Sequence, residues 1–151
     1  MKSFFEMLQD KQFIVVDDDE PTLFYSSAVI KKFFYFNQFT GFKDPRKAVE
    51  YFENTFRKDP SETLVLLDIS MHELSGWDVL DKLQLLPKDL QEKLSIIMVS
   101  SSIDPADKIK ANDYTLVIGY IEKPLSIKKL KDLMDVRQRT MNVVNIGEWK
   151  E

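Results

Sequence analysis

Cysteine is absent from the 151-residue chain, and a single histidine, His72, is its only imidazole. Disulfides, thiolate chemistry and zinc sites built from cysteine and several histidines are therefore excluded. Glycine is scarce: Gly41, Gly76, Gly119 and Gly147 are the only four, and no two of them have the spacing of a P-loop or a GxGxxG dinucleotide turn. ATP or NAD held in those two ways is ruled out. No apolar run approaches the ~20 residues of a membrane span, and residues 1–11 alternate Phe, Leu and charge without a signal-peptide cleavage pattern. A cytoplasmic protein without membrane insertion is expected. Positive charge is not in excess either: 21 Lys and Arg against 25 Asp and Glu give a net charge of −4. With no Lys/Arg-rich block, direct binding of nucleic acid is disfavoured.

What is present is ordinary for a folded chain. Hydrophobic residues make up 44% and charged residues 30%, a balance that supports one domain with a substantial core. The expected domain is 1–151, with a core over about 12–138, a stem at 1–11 and a tail at 139–151.

The apolar runs end in a repeated way. Phe13-Ile14-Val15-Val16 stops at Asp17-Asp18-Asp19, and Thr63-Leu64-Val65-Leu66-Leu67 stops at Asp68. Leu94 to Val99 stops at Ser100-Ser101-Ser102, and Leu116 to Ile121 runs into Lys123-Pro124. A weaker strand is expected over Asn37 to Phe42. Continuous apolar runs of this length read as strands buried on both faces. Between them, helical spacing joins Leu23, Phe24, Ala28, Val29 and Phe33 up to about Phe36. It also joins Ala48, Val49, Phe52 and Phe56, then Trp77, Leu80 and Leu83 after Gly76. Asp44-Pro45 and Asp104-Pro105 read as an N-cap followed by proline at N1. The stretch from Pro87 to Glu92 reads as a polar connection, and Ser126 caps a last helix carrying Ile127, Leu130, Leu133 and Met134. Five strand-then-helix units predict an α/β fold, a parallel five-stranded sheet covered on both faces.

In such sheets ligands sit at the carboxyl ends of the strands, which singles out Asp17, Asp18, Asp68, Ser100 and Lys123. All five are expected to face one crevice. Three carboxylates brought together repel one another unless a cation neutralises them. With only oxygen donors on offer, Mg²⁺ is the natural ion. Carboxylates, Mg²⁺, a lysine and a hydroxyl are the parts needed for phosphoryl transfer. The cations neutralise the equatorial phosphate oxygens, the hydroxyl donates a hydrogen bond, and an aspartate can attack phosphorus to give an acyl phosphate.

Four segments together resemble the receiver domain of bacterial two-component response regulators (CheY-like). They are Ile14-Val15-Val16-Asp17-Asp18-Asp19-Glu20-Pro21; Leu66-Leu67-Asp68-Ile69-Ser70-Met71 followed by Leu74-Ser75-Gly76-Trp77; Met98-Val99-Ser100-Ser101-Ser102; and Tyr120-Ile121-Glu122-Lys123-Pro124-Leu125. The resemblance spans about residues 12 to 137 and implies a doubly wound (βα)5, flavodoxin-like three-layer sandwich. It makes Asp68 the phosphoacceptor and places Mg²⁺ on Asp17, Asp18, Asp68 and the main-chain carbonyl of Ser70. Ser100 and Lys123 take the places of the family's Ser/Thr and lysine, and Tyr120 matches the switch aromatic. Pro124 matches a proline that is often cis in the family. The implied partners are a sensor histidine kinase or histidine phosphotransfer protein as donor and an unidentified downstream protein as target. The only catalysis implied is phosphoryl transfer to, and hydrolysis from, the protein's own Asp68, so the chain is not expected to be an enzyme on other substrates. Nothing after residue 138 is long enough for an output domain, so output is expected through protein contacts. One departure is His72, where the family usually has proline; a more mobile loop is expected there. The pair tuning dephosphorylation maps to Ser70 and Ser102.

Other readings compete at single positions. The acidic run fits a solvated turn capping the next helix, and Asp19 suits a cap better than a ligand. Lys123 alone fits a surface lysine, Tyr120 a half-buried strand aromatic, and His72 an exposed loop residue. The stretch from Phe33 to Phe36 fits core with one or two exposed rings. Asp17-x-Asp19 also suggests a haloacid-dehalogenase-like Mg²⁺-dependent phosphatase, but Pro21 and Thr22 depart from that pattern and there is no room for a cap insertion. A degenerate receiver acting by binding alone is disfavoured because all five strand-end residues are present.

Overall fold

Each apolar run forms a strand. The computed structural model describes residues 2–34 and 37–137. Its strands are β1 (Gln12–Val16), β2 (Phe39–Phe42), β3 (Thr63–Asp68), β4 (Leu94–Ser100) and β5 (Val117–Glu122). They form one sheet in the order β2-β1-β3-β4-β5, with every pairing parallel. All six residues of β3 are buried, as expected for a central strand covered on both faces.

The helices divide between the faces. On one lie α3 (Pro45–Tyr51), α4 (Gly76–Leu83), α5 (Lys88–Gln91) and α6 (Pro105–Ala111). They close over Ile14, Val16, Val65, Leu67, Ile96 and Met98 with Ala48, Phe52, Phe56, Leu80 and Leu90. On the other lie α1 (Phe4–Leu8), α2 (Glu20–Phe33) and a helix α7 over 127–137. Their residues Phe4, Leu8, Ile30, Leu130 and Met134 pack on Phe13, Val15, Leu64, Leu66 and Ile97. Odd and even strand positions thus feed opposite cores, because successive side chains of a strand point to opposite faces. The doubly wound three-layer architecture is the observed one.

Several boundaries differ from the sequence reading. Helix α2 ends at Phe33 rather than near Phe36, with Phe34 as its C-cap. Phe34 turns into the core at 5% exposure while Phe33 stays 41% exposed; Tyr35 and Phe36 lie outside the described residues. Strand β2 begins at Phe39, not Asn37, because the Asn37 main-chain N–H donates back to the Phe34 carbonyl instead of pairing along the sheet, while its side-chain amide donates to the carbonyls of Leu8 and Lys11. The polar connection at 87–92 contains the short α5, seated by buried Leu90. Helix α3 passes into a π-helical turn, Phe52–Phe56, that buries both Phe52 and Phe56. The stem is folded: Ser3 and Glu6 form a capping box, and Phe4 and Leu8 enter the core. The proposed tail at 139–151 lies outside the described residues.

Candidate functional site

The strand order reverses at β1, which has β2 on one side and β3 on the other. In a doubly wound sheet that reversal opens a crevice beyond the carboxyl ends of the strands. The register pairs Val16 with Leu67, so the residues that follow, Asp17 and Asp68, emerge side by side. Both are buried, at 4% and 5% exposure. One carboxylate oxygen from each of Asp17, Asp18 and Asp68 lies within 4.8 Å of the others.

Lys123 reaches this cluster from the far side of the sheet. Its Nζ lies 2.7 Å from Asp17 Oδ2 and 3.4 Å from Asp68 Oδ1. Its main-chain N–H donates to the Ser100 carbonyl at 2.9 Å, which ties the end of β5 to the end of β4. The Lys123-Pro124 peptide is cis. One ammonium facing three carboxylates leaves the site short of positive charge. Burial, and then the Asp17 charge, push the Asp68 carboxyl up to about 6, against the opposing pull of Lys123 and the Ser70 main-chain N–H. Burial works against the charge on Lys123, but its bonds to Asp17 and the nearby Asp68 outweigh that, and its pKa is raised. An all-oxygen, electron-rich donor set with unrelieved like-charge repulsion fits a hard divalent cation.

The neighbours of these groups are placed as follows. Asp18 Oδ2 accepts the main-chain N–H of His72 at 2.8 Å, and the His72 side chain is exposed. Asp19 is not one of the clustered carboxylates: its side chain caps α2 by accepting from the N–H and hydroxyl of Thr22. Asp17-x-Asp19 is therefore not a pair of site carboxylates, which removes the feature that suggested a haloacid-dehalogenase-like phosphatase. Ser70 is exposed two residues beyond Asp68. Ser100 is buried at the end of β4, and its Oγ accepts from the Ser102 N–H at 3.1 Å. Tyr120 is half-buried; its hydroxyl donates to the Ser102 carbonyl at 3.3 Å, and the Lys108 ammonium sits over its ring. Asp17, Asp18, Asp68 and Lys123 are thus brought together, while Ser100 and Tyr120 both hold the loop after β4.

Gly76 was not singled out as a site residue, yet the site needs it. Its N–H donates to the Ile69 carbonyl at 2.7 Å, and a Cβ there would stand 2.4 Å from the Asp68 carbonyl oxygen. Helix α4 can start against the Asp68 backbone only because that Cβ is missing. The signal was available: one of four glycines stands immediately after the Ser75 cap of a helix, where nothing in helix chemistry calls for glycine.

A family model described as the response regulator receiver domain matches residues 13–135. Among solved structures, the chain is similar to a response regulator receiver protein from Dyadobacter fermentans. The two are 26% identical over 82% of this chain and 94% of that one, with a TM-score of 0.73. It is also similar to a two component response regulator from Cytophaga hutchinsonii, at 23% identity over 84% and 96% with a TM-score of 0.73. The fold is shared with the chemotaxis response regulator CheY4 of Vibrio cholerae, at 15% identity over 86% and 98% with a TM-score of 0.64. No curated protein matches the chain.

Proposed function

The chain belongs to the response regulator receiver domain family, and on that premise we propose that Asp68 accepts a phosphoryl group from a phosphohistidine of a sensor kinase or phosphotransfer protein. A carboxylate oxygen of Asp68 attacks phosphorus, the P–N bond to the donor's imidazole breaks, and that imidazole leaves, taking up a proton. Lys123 meets the negative charge on the equatorial oxygens, and Ser100 donates its hydroxyl to one of them. Asp17, Asp18, Asp68 and the Ser70 carbonyl hold Mg²⁺, which when bound supplies the positive charge that Lys123 alone does not. Water later attacks phosphorus and restores Asp68, so the protein acts only on itself.

Readout follows from the hydrogen bonds that Ser100 and Tyr120 make in the unmodified protein. The Ser100 hydroxyl that accepts from Ser102 is drawn to the phosphoryl group, and the loop it held is released. Tyr120, bonded to the carbonyl of that same loop, then turns inward, and the surface of α6 and β5 changes for a downstream protein. The observation that carries the reading is the convergence of three strand-end carboxylates within 4.8 Å, with Lys123 bonded to two of them.

The test is intact mass after incubation with acetyl phosphate, with and without Mg²⁺, on the wild type and Asp68→Asn. The expected result is one Mg²⁺-dependent phosphoryl adduct, absent in the variant. An adduct that persists in Asp68→Asn, or none in the wild type, contradicts it.

A further inference from the structure

The only histidine of the chain stands beside one of the carboxylates read above as metal ligands. The main-chain N–H of His72 anchors it to Asp18 Oδ2 at 2.8 Å, and its Nε2 lies 3.8 Å from the same oxygen. The side chain is 97% exposed, so no packing fixes the ring and it is free to pivot about its side-chain torsions. Asp18 and His72, though not Asp17 or Asp68, line an open cleft of about 480 Å³ between the β2–α3 and β3–α4 loops, which leaves the ring space to move. Of the cations lining that cleft, Lys43 pairs with Glu20 and Arg46 with Asp44 and Glu73, while Lys47 lines it as well.

Two ligand atoms on one ion with bonds near 2.0–2.2 Å stand about 3.0–3.5 Å apart. A separation of 3.8 Å from Asp18 Oδ2 exceeds this by less than about an ångström, and to join the ion the ring also swings toward Asp17 and Asp68, whose 4.8 Å cluster does not include it. Resting on the reading of Asp17, Asp18 and Asp68 as a divalent-cation site, we infer that His72 is a supplementary nitrogen ligand of that site. It gives the site an affinity for imidazole-seeking dications such as Zn²⁺ or Co²⁺, relative to Mg²⁺, that the carboxylates alone do not have. The chemistry is that of ligand preference: oxygen donors suit Mg²⁺, whereas an imidazole nitrogen adds to the binding of first-row transition ions and little to that of Mg²⁺.

The experiment titrates Mg²⁺ and Zn²⁺ calorimetrically into the chain, free of any histidine tag, in the wild type and in His72→Gln and His72→Ala. In both variants the ratio of Zn²⁺ to Mg²⁺ affinity is expected to fall at least about tenfold, the scale of losing a group that supports a metal. Because the chain has one histidine, its ring NMR resonances are assigned without ambiguity. They are expected to shift with Zn²⁺ to a one-to-one end point and to stay unmoved in the Asp18→Asn, Asp68→Asn double variant. An unchanged affinity ratio overturns the role of His72 while leaving the Mg²⁺ site intact. Ring shifts that persist in the double variant overturn it too, since they mark an isolated surface imidazole. Failure of the wild type to bind either ion overturns this inference together with the metal reading beneath it.

Discussion

The two halves of the crevice use the same strand-end grammar but are built to different stiffness. On the carboxylate side, every residue of β3 and four of the five in β1 are buried. Helix α4 abuts the Asp68 backbone with no room for a Cβ. On the other side, only Ile121 of β5 is buried and α6 buries only Ala111. There the register also slips between Ile96 and Ile97, and Ile103 and Ile109 stand in solvent. Resistance to local opening follows buried apolar contact. The contrast teaches that the carboxylate cluster stands on the firmly packed half of the crevice and Tyr120 on the looser one, an arrangement that suits the proposed division between accepting a phosphoryl group and reading it out.

The largest expected effect comes from the one residue that bridges the halves. Lys123→Met leaves two buried carboxylates without their cation, so the metal-free protein should lose about 3 kcal/mol of unfolding free energy in urea. A loss below about 1 kcal/mol would show that the halves are not joined through that contact.

Two glycines sharpen the contrast next. Gly76→Ala drives a methyl group into the Asp68 carbonyl, a backbone atom, and is expected to cost about 2 kcal/mol while also lowering phosphorylation. Gly119→Ala puts a Cβ 2.2 Å from Leu133 Cδ1 and 2.7 Å from its Cγ and Cδ2, a side chain rather than backbone. It should cost less than Gly76→Ala, about 1 kcal/mol, because the whole Leu133 side chain can shift where a backbone carbonyl cannot. Equal costs in thermal unfolding would erase the distinction between a rigid and a yielding side.

A smaller effect of opposite sign is expected from Asp68→Asn. Folding raises this carboxyl from 3.8 to about 6, so the native state binds the proton more tightly than the unfolded chain. The penalty is absent below about pH 4, grows between 4 and 6, and is complete above 6. Removing the charge should therefore stabilise the metal-free protein by about 1–2 kcal/mol at pH 7, discounted for solvent screening, and by nothing near pH 3. Unfolding curves across that range check it.

How much of this was legible in the sequence depends on what each feature rests on. Buried parallel strands announce themselves as continuous apolar runs, so β1, β3 and β4 and the residues ending them could be read directly; β5 carries the same apolar run at the sheet's edge, where only Ile121 is buried. Asp17, Asp18, Asp68 and Lys123 follow from that rule alone. Features resting on tertiary packing were not legible. The five residues of α1 are too few to show a period, although Ser3 and Glu6 carry a capping signature. Helix α5 is one turn around Leu90. The end of α2 is set by Phe34 turning inward, which helical spacing does not distinguish from continuation. Gly76 was marked in the sequence by its place just after the Ser75 cap, but the reason for it, the start of α4 lying against Asp68, shows only in the packing.

The most direct test of a receiving side and a reading side is amide hydrogen exchange on the protein with Mg²⁺, before and after acetyl phosphate. The predicted result is changed protection concentrated between residues 100 and 125, with the segments over 12–17 and 63–68 slow in both states. Phosphorylation at Asp68 that leaves 100–125 unchanged, or that loosens β1 and β3 as much as β5, would contradict the account.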